Sequence, residues 1–120
     1  MKRIVLFLVV LLLIGCEDPN PTAEDVLRQS QSADIFEYDS TIFSNVTDYE
    51  HIDLNTYEKG SFIGEIVQTT DDPSRFEELS ATQLPEGTPI YETENTGSVQ
   101  YFVIAEVAGR TLIYQALIEG

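Results

Sequence analysis

In Val99-Gln100-Tyr101-Phe102-Val103-Ile104-Ala105-Glu106-Val107 every odd position is Val, Tyr or Ala, and in Leu112-Ile113-Tyr114-Gln115-Ala116-Leu117-Ile118 every even position is apolar or aromatic. Alternation with a period of two marks a β-strand, because successive side chains leave opposite faces. A two-residue turn at Ala108-Gly109 pairs Val99 with Ile118, Tyr101 with Ala116, Val103 with Tyr114 and Ala105 with Leu112. All four pairs are apolar, and a slip of one residue would undo every one of them. Alanine tolerates the positive φ of such a turn poorly, so a three-residue loop with a bulge at Gly109, which flips the pairing, stays open. Phe102, Ile104 and Ile113 make the second face apolar too, which predicts a central hairpin with something covering that side.

Ile35-Phe36-Glu37-Tyr38 and Thr41-Ile42-Phe43 form a second hairpin around Asp39-Ser40, with Phe36 opposite Phe43 and Tyr38 opposite Thr41 on one face. Residues 61–69 read as an inner strand, apolar on both sides through Phe62, Ile63, Ile66 and Val67, with Gly64 at a bulge or a close approach. Residues 89–93 form a short strand opened by Pro89. Turns fall at Leu84-Pro85-Glu86-Gly87, of type I, and at Asn95-Thr96-Gly97, and Asp71-Asp72-Pro73-Ser74 is a loop. Thr22 with Asp25 starts a short helix within residues 22–32 that carries Ala23, Val26, Leu27 and Ser30 on one face. Thr47 with Glu50 marks a second one, running to about Leu54, before Gly60 breaks the chain. The fold class is α+β: a small antiparallel β-sheet or partly closed barrel of five to six strands, with one or two short helices.

The 120 residues suffice for one domain. Six Lys and Arg face 21 Asp and Glu, a formal charge of −15. Such an excess of acid argues against nucleic acid as a partner, since phosphate contacts need clustered cations. One Cys excludes an internal disulfide and Cys-cluster metal sites, and one His excludes a His-rich cage.

Met1-Lys2-Arg3 is a basic start, and residues 4–14 are apolar without a break. A span needs about 20 such residues, so the run suits the apolar region of a signal peptide. Leu13-Ile14-Gly15-Cys16 follows, and it is similar to a bacterial lipobox. The resemblance makes Leu13, Ile14 and Gly15 the signal-peptidase recognition residues and Cys16 the lipid-modified first residue of the mature chain. Three parts are expected: a lipoprotein signal peptide, 1–15; a lipid-anchored tether, 16–21, containing Pro19 and Pro21; and an acidic α+β domain, 22–120. Two acyl chains anchor stably where one does not. Once Lys2 and Arg3 are removed the formal charge is −17, which repels the domain from anionic lipid headgroups. The expected location is the extracytoplasmic face of the cell membrane.

Candidate chemistry is sparse. Asp71, Asp72, Glu77 and Glu78 flank Pro73-Ser74-Arg75 and could offer oxygens to a hard cation, but they lack EF-hand spacing, and a solvated acidic loop is the simpler reading. His51 has no Ser or Cys context that would make it catalytic, and reads as a surface residue. Two carboxylates could in principle hydrolyse a glycoside, yet about a hundred folded residues without Trp leave little room for a sugar cleft. Tyr49, Tyr57 and Tyr91 lie near turns as candidate interface anchors, while Tyr101 and Tyr114 read as core.

Ala33-Asp34-Ile35-Phe36-Glu37-Tyr38, Ile63-Gly64-Glu65-Ile66, Leu84-Pro85-Glu86-Gly87-Thr88-Pro89-Ile90-Tyr91-Glu92 and Ile104-Ala105-Glu106-Val107 resemble small uncharacterised lipoproteins and secreted domains of Gram-positive bacteria. The likeness extends over most of residues 33–118. It implies an outer face of a single membrane and supplies no catalytic residue. The expectation is a non-catalytic binding module for a protein or envelope partner, with no cofactor. The alternatives are a surface accessory capturing cations or small ligands and, third, a minor envelope hydrolase.

Overall fold

The computed structural model describes residues 20–94 and 101–118. The signal peptide, Cys16 and its lipobox, most of the tether, the turn at Asn95-Thr96-Gly97 and the Val99 pairing lie outside the described residues. Among the described residues no helix is long and apolar enough to cross a membrane.

The protein is mostly β. Among the described residues one α-helix, α1 (Ala23–Gln29), precedes β1 (Ile35–Tyr38), β2 (Thr41–Asn45), β3 (Lys59–Glu65), β4 (Gln68–Thr69), β5 (Ser80–Ala81), β6 (Pro89–Thr93), β7 (Phe102–Val107) and β8 (Arg110–Ala116), with 3-10 turns at Leu54–Thr56 and Pro73–Arg75. The eight strands form one sheet in the order β3-β6-β7-β8-β2-β1-β5-β4. Eight strands replace the expected five to six, because residues 61–69 split in two and Ser80-Ala81 adds a short strand. The sheet is mixed, since β4 runs parallel to β5 while every other pair is antiparallel.

The split explains the curl. β3 and β4 stand at opposite ends of the sheet order yet are consecutive in the chain, joined only by Ile66 and Val67. Three peptide steps reach at most about 11 Å, so the ends must come together and the sheet bends into a half-barrel. Ile66 N–H donates to Thr88 O at 2.9 Å and Val67 N–H to Leu79 O at 2.9 Å, tying the link to both sides. Residues 61–69 are therefore not an inner strand. β3 is an end strand, and Phe62 is 59% exposed on it. The irregularity expected at Gly64 is there: register shifts flank Phe62 and Gly64, and a Cβ on Gly64 would meet Leu79 Cδ1 at 3.0 Å.

Both hairpins keep the expected register. Val103 faces Tyr114 and Ala105 faces Leu112, and Phe36 faces Phe43 with Tyr38 opposite Thr41. Both turns have two residues at positive φ, Asp39 at 53° with Ser40 at 59°, and Ala108 at 51° with Gly109 at 77°. Mirror-image turns of this kind match the right-handed twist of the strands they join, so alanine accepts the unfavourable conformation and no bulge forms.

Each sheet face buries its own cluster. Inside the curl, Phe36, Phe43, Ile66, Ala81, Leu84, Ile90, Val103, Ala105 and Tyr114 pack together. Outside, Phe102, Ile104 and Ile113 are covered by Val46, Ile52 and Tyr57 from the chain between β2 and β3, the second layer the hairpin required. Ile35 and Ile42 are covered by Ala23 and Leu27 of α1. That helix starts with the expected reciprocal cap: Asp25 N–H donates to Thr22 Oγ1 at 3.2 Å and Thr22 N–H to Asp25 Oδ2 at 3.0 Å. The helix is shorter than residues 22–32, with Ser30 as its C-cap.

Three local expectations fail. No α-helix starts at Thr47. Its hydroxyl accepts from Ile113 N–H at 2.9 Å and donates to Asn45 Oδ1 at 2.6 Å, so β8 takes the cap for the sheet. Gly60 lies inside β3 and does not end an element. The turn near Leu84 moves one residue along: Thr88 N–H donates to Pro85 O at 3.2 Å. Gly87 then stands third with φ 86°, as a type II turn requires.

Candidate functional site

At one end of the curl the inner face runs out of cover. Phe43 on β2, Ala116 on β8 and Tyr101 just before β7 lie side by side. Phe43 is the register partner of Ala116, whose N–H donates to Tyr101 O at 3.0 Å. The flanking strands are separated by two strand spacings, about 9.5 Å. The alanine between them is small enough for the two rings to meet over it, edge to face, with centroids 5.5 Å apart. Tyr38 joins Phe43 from β1 at 6.1 Å. Behind them Phe43 stacks on Phe36 at 5.2 Å, and Phe36 meets Tyr114 edge-on at 5.0 Å. An aromatic run thus leads from the closed core to solvent.

It opens on a groove of about 100 Å³ between Tyr38, Phe43 and Tyr101, floored by Ala116 and bounded by Asp39, Thr41 and Ile118. Ile118 is 60% exposed and Tyr101 39%, so Tyr101 is not the core residue its strand parity implied. The hairpin turn is pinned here by a carboxylate: Asp39 N–H donates to Glu78 Oε2 at 2.7 Å. Glu92 pairs with Val103 on the same face, one diagonal step from Tyr101 and within reach of a long side chain. Burial, then the charges of Asp39, Glu92 and Glu78, hold the Tyr38 phenol above its ordinary range. Burial, then Glu92, neighbouring Tyr38 and Asp39, do the same for Tyr101. The mouth of the groove is aromatic, hydroxylated and negative.

The acidic candidates are not brought to one point. Asp72 spends its carboxylate on its own turn, accepting from Ser74 N–H at 3.0 Å and from Ser74 Oγ at 2.7 Å, and these bonds lower its pKa. Asp71 borders an open hollow with Glu24 and Arg28 of α1. Glu78 serves Asp39 across the sheet, and Glu77 uses its backbone N–H on Ser80 Oγ at 3.0 Å. Among the described residues no group of three or more His, Cys, Asp or Glu is placed to hold a metal ion. His51 is exposed, its ring edge-on to Tyr49 at 5.9 Å. Of the expected surface tyrosines, Tyr49 is exposed. Tyr57 is half-buried against Phe102 at 5.1 Å, and Tyr91 is half-buried beside Phe62 at 5.7 Å.

Strand parity could not find the groove, because parity assigns a face and not whether that face is covered. A usable signal exists in the pairing: a small residue, Ala116, flanked by aromatics on both neighbouring strands at their ends. No family model, curated protein or solved structure matches this chain.

Proposed function

We propose that this protein is a lipid-anchored, non-catalytic binding module at the extracytoplasmic face of the cell membrane, and that it engages a protein or envelope partner through the groove at Tyr38, Phe43 and Tyr101. The anchor is the lipid on Cys16 of Leu13-Ile14-Gly15-Cys16, by likeness to the lipobox. The observation that carries the binding role is the row Phe43–Ala116–Tyr101, where aromatic rings reach solvent at the end of an otherwise sealed core. Tyrosine suits this use because its ring offers a large apolar area at small entropic cost and its hydroxyl keeps one end wet.

The role is tested by placing a photo-crosslinking phenylalanine analogue at Tyr101 or, as a control, at Phe62, which is also exposed but lies on an end strand. In intact cells, capture of a discrete species from position 101 and not from 62 is expected. Equal capture from both positions, or none from 101, overturns the groove as the binding surface. The anchor is tested separately: Cys16→Ser should release the protein from the membrane fraction, and undiminished membrane retention overturns it.

A further inference from the structure

We infer that the groove receives a cationic side chain, an arginine or lysine of a basic protein segment, laid against the Tyr101 and Tyr38 rings between the carboxylates of Asp39, Glu78 and Glu92. This rests on reading the groove as a binding surface and names the chemistry of its occupant.

The fold already contains one complete example of this chemistry. On the other sheet face the Lys59 ammonium sits 4.6 Å from the centre of the Tyr91 ring and 3.1 Å from Glu106 Oε1. A tyrosine face and a nearby carboxylate hold the cation together, by the ring quadrupole and by charge. The groove repeats the receiving half, ring and carboxylate, and among the described residues no cation lines it.

Size and charge narrow the occupant. The space is about 100 Å³, against about 300–1,000 Å³ for sites that enclose a drug-sized molecule, so it takes the tip of a side chain. A neutral apolar tip would cover the rings but desolvate the carboxylates without pairing them, which is costly. An anion would meet the negative potential that already helps keep protons on both phenols. A guanidinium or ammonium satisfies rings and rim at once, and the excess of acid over the whole chain would speed a basic partner's approach.

The test uses the full chain in nanodiscs of neutral phosphatidylcholine. The probe is a short dye-labelled peptide carrying two arginines, compared with the same peptide carrying neutral citrulline, with binding read by fluorescence anisotropy. The arginine peptide should bind and the citrulline peptide should bind at least about tenfold more weakly. Tyr101→Ala and Glu92→Gln should each weaken the arginine peptide by about three- to thirtyfold, while Tyr101→Phe, which keeps the ring, should retain binding. Glu50→Gln, at an exposed acid away from the groove, should leave affinity unchanged. Equal binding of both peptides, with both weakened by Tyr101→Ala, overturns the cationic occupant and leaves the groove standing. A loss at Glu50→Gln equal to that at Glu92→Gln reduces the effect to diffuse charge and overturns it too. So does failure of the arginine peptide to bind. Failure of the groove itself is read independently, as absence of crosslinking from position 101.

Discussion

Both faces of the sheet bury apolar clusters but end differently. On the outer face Phe102, Ile104 and Ile113 are sealed by Val46, Ile52 and Tyr57, and Ile35 and Ile42 by α1. On the inner face the curl seals the middle, while the aromatic run Tyr114–Phe36–Phe43–Tyr101 continues past it into solvent. A covered apolar face contributes stability alone. An open one gives up part of that stability and leaves area for a partner. The distinction therefore predicts which substitutions harm folding, which harm binding and which harm both.

The largest effects come from truncating either face, and only one of them should reach the groove. Phe43→Ala removes a ring that touches Phe36, Tyr38 and Tyr101 and should cost about 3–5 kcal/mol. Ile113→Ala, fully buried on the sealed face, should cost about 2–5 kcal/mol. Urea unfolding measures both. Under conditions where each variant is still folded, the arginine peptide should bind Ile113→Ala normally and Phe43→Ala poorly. Equal loss of binding in both variants would show that the sealed and open faces do not differ in their part in binding.

Next in size is the polar latch behind the inner core. Tyr114 is fully buried, and its hydroxyl donates to Asp34 Oδ1 at 2.8 Å while Asn45 Nδ2 donates to Oδ2 at 2.8 Å. Tyr114→Phe should cost about 1.5–3 kcal/mol, the range for a hydrogen bond to a charged group. Burial, the Asp34 charge and this hydrogen bond push the phenol pKa far above its ordinary value. The folded state therefore holds the proton more tightly than the unfolded chain does. The resulting stability is fully present below about pH 10, where the unfolded tyrosine is still protonated, and is lost as pH rises through and above that value. Chemical denaturation between pH 8 and 11 should show the wild type losing its advantage over Tyr114→Phe above about pH 10; a gap independent of pH would show that this proton is not linked to folding.

The hairpins were legible in the sequence because alternation and register are properties of one short stretch, and both pairings follow from which residues are apolar at which parity. The strand count was not. Nothing local in residues 61–69 says that Ile66 and Val67 must bridge the two ends of a curled sheet, a requirement set by where β3 and β4 find their partners. The helix start at Thr47 was a sound local signal that lost to a distant one, since the same hydroxyl meets Ile113 N–H. The groove combines both kinds of information: parity puts Tyr101 on the inner face, and only the assembled end of the sheet leaves it uncovered.

Smaller still is the stability cost at the open end. Tyr101→Ala loses an edge-to-face contact with Phe43, about 0.5–1.5 kcal/mol beyond the area it covers, and much of that area faces solvent already. Thermal unfolding should move little while the arginine peptide binds about three- to thirtyfold more weakly. A destabilisation as large as that of Ile113→Ala would place Tyr101 in the sealed core after all.

The smallest effect lies at the other end of the same hairpin, and its sign is reversed. Ala108 holds φ 51°, a region that costs a residue with a Cβ about 1–2 kcal/mol. Ala108→Gly removes that strain but gives the unfolded chain more freedom, worth about 0.4–1 kcal/mol in the opposite direction. A net gain of up to about 1 kcal/mol is expected, read as a higher urea midpoint with unchanged slope. Binding at the groove should not move, because the register from Val103–Tyr114 to Val107–Arg110 is already fixed by paired side chains on both faces. If Ala108→Gly instead destabilises, the β7–β8 turn depends on more than its backbone angles, and the two ends of this hairpin are less independent than the sealed and open faces imply.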